Sequence, residues 1–411
     1  MNIYLISFYS ELNKQTSVVK THETLLSEIE KYFTLHLVDY KDMESIPADE
    51  LKIVFIATGG IEKLVSQCFE SLPHPLTLLT DGLQNSLAAT LEITTWLRYK
   101  GMKSQIIYGE LPAVIHQLQI LANNFSATKE LLGKRVGVIG PASPWLIASD
   151  VDYLLAKRRW GLEFKDIKLD EVYELYNKIS DDEVSQAASV FAARALALLE
   201  ATPKDILKAM RLYQAIKIIC ERENLTAITL SCFNLLEQLR TTGCMALSLL
   251  NDDGIVAGCE GDLQSIFTLL TVKAVTGQCG FMGNPSMLDQ SSNEVLLAHC
   301  TVATSLTERY IIRNHFESCS GIGIQGILPT GEVTIVKCGG ESLDEFFISA
   351  GVLTENTNYI HACRTQVKIR LDKSVSYFLR NPLGNHHILI PGNHVKALEE
   401  FYLSNNCRRI E

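Results

Sequence analysis

Along the first 125 or so residues, short apolar runs alternate with longer amphipathic stretches. The runs NIYLISF (2–8), TLHLVDY (34–40), KIVFIATGG (52–60), LTLLTDG (76–82) and SQIIYGE (104–110) read as strands. Between them, residues near 16–32, 61–70, 84–100 and 112–124 repeat apolar side chains at helical spacing. Near-continuous apolar strands separated by helices imply parallel βαβ units covered on both faces. Five such strands predict a doubly wound, flavodoxin- or Rossmann-like domain over 1–130, with any site at the strand C-terminal ends.

A second α/β domain is expected over 131–290. After the polar stretch SATKELLGK (126–134), GKRVGVIGPASPWLIAS (133–149) reads as strand, Gly/Pro turn and helix. A long helical region follows at roughly 181–222, then the strand TAITLSC (226–232), MALSLL (245–250) and the turn NDDG (251–254). GIVAGCEGD then leads into the helix LQSIFTLLTVKAVTG. From about residue 291 to 411 the pattern turns mostly β: VLLAHC, GIGIQGIL, GEVTIVKCGG, QVKIRL and HHILIPG, with PTGE (329–332) as a hairpin turn. A final helix is expected at HVKALEEFYLSNN (394–406).

Composition narrows the function. The chain is 47% hydrophobic and 20% charged, which is globular rather than disordered. A net charge of −10, with no Lys/Arg-rich run, argues against nucleic acid or an anionic membrane as partner. No run reaches the length of a membrane span. MNIYLISFYSELNK has no basic segment before its apolar run, so it reads as a first strand and not a signal peptide. Eleven cysteines without a C-x-x-C spacing suit a reducing cytosol and give no structural zinc motif.

VIGPAS (138–143) follows a strand, but a phosphate cradle needs several glycines, and here one glycine precedes a proline that lacks an N–H. A plain strand-to-helix turn is the better reading. AGCEGD (257–262) is more informative, because it places Glu260 and Asp262 where a strand ends and a helix begins. Asp262 can cap that helix. Glu260, emerging from an apolar strand, needs a partner. His299 ends the apolar run LLAHC, and His386 and His387 open another, where alternation sends them to opposite faces. Glutamate with histidine suits Mn²⁺ or a similar divalent ion better than a thiolate-bound metal.

TLSCFNLL (229–236), CMALSLLNDDGIVAGCEGDLQS (244–265), GFMGNPSMLD (280–289), LLAHC (296–300), HFESCSGIGIQG (315–326) and GNHHILIPGNH (384–394) together resemble the L-fucose/L-arabinose isomerase superfamily, in its short fucose-isomerase-like branch. NSLAATLEITTWLRYKG (85–101) and GPASPWLIAS (140–149) add to the likeness. The resemblance implies a divalent metal, usually Mn²⁺ (Mg²⁺ or Co²⁺ otherwise), that holds an open-chain aldose while acidic side chains shuttle a proton through an ene-diol. Carried over residue by residue, Glu260 is the first acidic ligand and base, His386 the histidine ligand with His387 as fallback, and His299 a further ligand. The second acid departs from the pattern: after Phe281-Met282 stand Gly283 and Asn284. Asparagine can offer its carbonyl oxygen to a metal but cannot ionise. Asp262, Asp289 or a metal-bound water would then take the second role. Asn85, Ser86 and Glu92 are expected near the sugar, or alternatively as a helix start. The implied protein is a cytoplasmic aldose–ketose isomerase of a free monosaccharide, trimeric or hexameric, with an epimerase and a non-catalytic sugar-binding protein as alternatives.

Overall fold

The structure is a computed structural model that describes residues 1–10 and 15–411; ELNK (11–14) lies outside the described residues. The chain divides into two compact units, Met1–Phe125 and Ser126–Glu411.

In the first unit, β1 (Asn2–Phe8), β2 (Thr34–Asp39), β3 (Leu51–Ile56), β4 (Leu76–Leu79) and β5 (Ser104–Ile107) form a parallel sheet in the order β2-β1-β3-β4-β5. Strand alternation divides the core between the two faces. Ile53 and Phe55 pack with one set of helices, and Val54 and Ile56 with the other. This is the doubly wound arrangement expected from the pattern.

The second unit opens with another parallel sheet. It is built from β6 (Arg135–Ile139), β7 (Glu163–Ile167), β8 (Ala227–Leu230) and β9 (Val256–Cys259) in the order β7-β6-β8-β9. Two expectations change here, and a segment given no element type finds one. Residues 140–152 form an irregular loop and not a helix; the helix begins at Tyr153, capped by Asp152. Pro141 and Pro144 withhold two backbone donors from that stretch. The helical region near 181–222 is two helices, Asp181–Arg194 and Pro203–Glu223, each begun by a capping box, from Ser180 and from Thr202. MALSLL lies in the helix Cys244–Asp252.

The C-terminal part is antiparallel except for its short edge strand, Arg408–Arg409, which runs parallel to Glu345–Asn356. Its strands are β10 (Phe281–Asp289), β11 (Glu294–His299), β12 (Arg309–Arg313), β13 (Gly323–Ile327), β14 (Gly331–Gly339), β15 (Glu345–Asn356), β16 (Thr365–Leu371), β17 (His387–Pro391) and β18 (Arg408–Arg409). Seven of them order as β14-β17-β10-β11-β16-β15-β18, and β12 and β13 pair separately. PTGE is therefore not a hairpin turn: β13 pairs with β12, while β14 pairs with β15 and β17. Asn356 holds both backbone groups of Leu328 at the end of β13, which closes that strand off from β14. Residue 290 falls in the turn of the β10–β11 hairpin, so the second and third regions share strands and a single apolar cluster. Between them runs the helix Leu263–Thr276, buried from Leu263 to Val272 because it packs on β9 on one side and β14 and β17 on the other. No helix among the described residues is long and apolar enough to cross a membrane.

Candidate active site

β9 ends at Cys259, and the next two residues are both left-handed, Glu260 at φ 66° and Gly261 at φ 77°. A non-glycine residue in this region is strained and needs its surroundings to hold it there. The Ser143 N–H donates to the Glu260 carbonyl at 2.8 Å, which docks the 140–152 loop onto the turn. A Cβ on Gly261 would stand 2.4 Å from Ala142 Cα, so only glycine fits beneath that loop. Asp262 then caps the buried helix, accepting from Ser265 N–H at 2.8 Å and Ser265 O–H at 2.7 Å.

This turn aims the Glu260 side chain at a cavity of about 440 Å³, which Asn284 and His299 also line. Glu260 Oε2 accepts the Trp145 indole N–H at 2.7 Å. Its Oε1 faces His386 Nε2 at 3.7 Å and His299 Nε2 at 3.8 Å, too far for hydrogen bonds. Burial works against charge on Glu260, but the two histidines outweigh it and hold the carboxyl well below the usual range. His386 donates from Nδ1 to Asp262 at 2.9 Å, which leaves Nε2 as the nitrogen turned toward Glu260. That Nε2 is buried without a hydrogen-bond partner among the described residues. Burial opposes a charge on His386 too, and the Asp262 and Glu260 carboxylates overcome it and raise its pKa.

Asp262 is fully buried and does not reach the cavity. Lys337, equally buried, places its Nζ 3.6 Å from the Asp262 carboxylate and donates to Ser265 Oγ at 2.7 Å. Burial raises the Asp262 pKa and Lys337 and His386 lower it, with a net shift well downward. Asp262 is thus a helix cap and the orienting partner of His386, not a second proton shuttle.

A carboxylate oxygen that stands 3.7 and 3.8 Å from two imidazole nitrogens, the His386 nitrogen without a hydrogen-bond partner, could share a divalent cation with them. Ligands with bonds of roughly 2.0–2.2 Å to a shared ion stand about that far apart. The carboxylate behind His386 is the outer support such ligands need. Cys259 Sγ also lies within 4.8 Å of the Glu260 and His299 donors. However, it sits 2.7 Å from Cys232 Sγ, and this contact, together with burial, pushes the thiol pKa well up. The thiolate is the ligand form, so the oxygen–nitrogen set is the better cation site.

Other expected residues fall elsewhere. His387 is fully buried on the opposite face of β17, bonded to the Tyr377 hydroxyl at 3.0 Å. Burial drives its pKa down to about 3, so it stays neutral, and it does not line the cavity. Asp289 is exposed and accepts from Ser291 and Ser292 in the β10–β11 turn. It lies five residues along β10 from Asn284, roughly 16 Å at strand spacing, and cannot serve the cavity. In the first unit, the Ser86 hydroxyl is buried and accepts from Thr80, Asn85 is left-handed before the helix Ser86–Tyr99, and Glu92 is exposed. Ser86 is therefore a core residue of its own unit. The reading from residue types had no signal for Trp145, Lys337 or Glu317, because each meets the site through long-range folding.

Residues 147–278 match the L-arabinose isomerase central domain. That segment contains Glu260 and Asp262 but not Asn284, His299 or His386. The sulfoquinovose isomerase of Clostridium sp. (strain MSTE9) is 28% identical over 150 residues, covering 36% of this chain and 33% of that protein. Those of Priestia aryabhattai and Alkalicoccus urumqiensis are 22% identical over 227 residues and 20% over 263. They cover 52% and 62% of this chain, and 49% and 59% of those proteins. The chain thus matches between a third and three fifths of the length of these relatives. The comparisons support the L-arabinose/L-fucose isomerase superfamily.

Within the cavity, the matched segment supplies Glu260, Phe233 and Cys232, and the antiparallel strands supply Asn284 and His299. Trp145 meets the Phe233 ring edge-on at 4.9 Å and forms an apolar wall beside Glu260.

Proposed function

We propose that this chain is a metal-dependent aldose–ketose isomerase of a free monosaccharide, of the short fucose-isomerase-like branch. The observation that supports it most is the Glu260 oxygen facing two histidine nitrogens at 3.7 and 3.8 Å, one of them buried and unpartnered. In this reading Glu260, His299 and His386 hold the cation and the Asn284 carbonyl adds a donor. Mn²⁺ suits that set, and Mg²⁺ or Co²⁺ are its substitutes. The cation, when bound, supplies polarisation of the sugar carbonyl and compensation of negative charge on its oxygens. The chain itself fixes the donors: Asp262 sets the His386 tautomer, Lys337 balances Asp262, and Trp145 pins Glu260.

The cavity favours an uncharged sugar. Among the described residues no Lys or Arg lines it, whereas Glu260 and Glu317 both do. A sulfonated sugar of the kind named for the relatives would bring its anion beside two carboxylates in a lining that, among the described residues, holds no Lys or Arg. The reading carries with it a homo-oligomer, trimeric or hexameric, in the cytoplasm, without nucleic acid or membrane partners.

The test begins with Mn²⁺ titration of chelated wild type and His386→Ala, followed by ketose formation from a panel of aldoses. Binding that needs His386, with ketose produced from a neutral aldose, is the expected result. Asn284, in place of an ionisable side chain, is the observation that keeps a second reading: deuterium entering another carbon without ketose marks an epimerase. Sugar binding without any exchange marks a non-catalytic relative.

A further inference from the structure

The segment HFES follows β12 as a tight loop. Cys319 N–H donates to the His315 carbonyl at 3.0 Å, His315 N–H to the Ser320 carbonyl at 3.1 Å, and Ser318 closes on His315 Nδ1 at 3.0 Å. Arg364 anchors the base of the loop through the Asn314 backbone carbonyl at 2.9 Å and the Asn314 side chain. The loop places Glu317 on the cavity lining, and Glu260 and Glu317 are the two carboxylates found there among the described residues.

The two differ in how their oxygens are used. Glu260 gives one oxygen to Trp145 and turns the other to two histidines, where a cation held in the proposed site would occupy it. Glu317 is exposed and has no hydrogen bond or ion pair among the described residues. Arg364, which lies over the Phe316 ring, is engaged by Asn314 and stands 3.9 Å from Glu200. Asn284 cannot ionise and so cannot serve as a base.

We propose that Glu317 is the proton-transfer group of this cavity and that Glu260 serves to bind. The proposal rests on the isomerase reading. The Glu317 carboxylate removes the proton from C2 of the open-chain aldose while the carbonyl electron pair moves onto O1, and the O2 hydroxyl passes its proton to O1 along the ene-diol. The resulting carboxylic acid returns its proton to C1 as the electron pair left on O2 re-forms the carbonyl, now the ketone at C2. Protons and electrons balance within the sugar and one carboxylate, with no redox partner. Although its residue surface is largely open, the partial covering of the Glu317 carboxyl by the cavity wall, and then the charge of Glu260, make it hold a proton more tightly than an ordinary carboxylate, which suits a group that must both accept and return one.

The experiment compares wild type, Glu317→Gln and Glu260→Gln in the full chain, reading Mn²⁺ affinity, ketose formation and deuterium uptake at carbon from heavy water. Glu317→Gln is expected to lower both carbon exchange and turnover by about 10²–10⁴-fold, the range for one acid–base group, with Mn²⁺ affinity unchanged. Glu260→Gln is expected to weaken Mn²⁺ itself. Formate added to Glu317→Ala should restore part of the exchange, which a merely structural role would not allow. Wild-type exchange in Glu317→Gln, or a Mn²⁺ loss equal to that of Glu260→Gln, overturns the role of Glu317 alone. A wild-type protein that exchanges no carbon-bound proton of any aldose tested overturns the isomerase reading and this proposal with it.

Discussion

At the scale of single residues, the site is a chain of supports behind one carboxylate. Asp262 serves three partners at once: the helix N-terminus, His386 Nδ1 and the buried Lys337. Removing one member of a buried ion pair leaves the other uncompensated, at a cost of about 3–5 kcal/mol. Asp262→Asn is therefore expected to lower unfolding stability by that order in denaturant titration, and to weaken Mn²⁺ by roughly 10–100-fold through the loss of support to His386. Unchanged stability and affinity would show that Lys337 and His386 are held by something else. Glu260, Asp262 and both histidines were legible in the sequence because charged groups at the edges of apolar strands call for partners. The choice between His386 and His387 was not, since parity says only that they oppose each other. Lys337 was hidden because it looks like any strand lysine until Asp262 is folded against it.

At the scale of elements, the decisive piece is the turn between β9 and the buried helix. Gly261 needs both a left-handed backbone and empty space, whereas Gly277, at φ 70°, has open space around it. Gly277→Ala should cost only the backbone preference, about 1–2 kcal/mol. Gly261→Ala should cost more, and it should also displace the 140–152 loop and separate Trp145 from Glu260, a change that tryptophan fluorescence reports. Equal losses in the two variants would argue against the close approach of that loop. Strands and amphipathic helices were readable here by periodicity. The PTGE turn and the 140–152 loop were misread because local turn chemistry does not say which strand a segment will pair with, or what a proline-containing loop will lie against.

At the scale of the molecule, the two units have separate apolar clusters, and the candidate cation site lies wholly within Ser126–Glu411. Trp96 belongs to the first unit and Trp145 and Trp160 to the second. In a Trp96→Phe protein, fluorescence-detected unfolding should follow the second unit, and saturating Mn²⁺ should stabilise that step by about 2.7 kcal/mol at a hundredfold excess over Kd. No shift would mean that the cation does not bind the folded unit. By itself the sequence determined the order and type of most elements, the doubly wound and antiparallel parts, and the residues able to ligate, because these follow from local periodicity and side-chain chemistry. Only the tertiary structure decided that β9, β11 and β17 deliver Glu260, His299 and His386 to one place, and that Asp289 and His387 are turned away. It also decided that Trp145 and Glu317 arrive at the same cavity from separate loops. Those decisions depend on strand pairing and burial across more than a hundred residues, which no short stretch of the chain encodes.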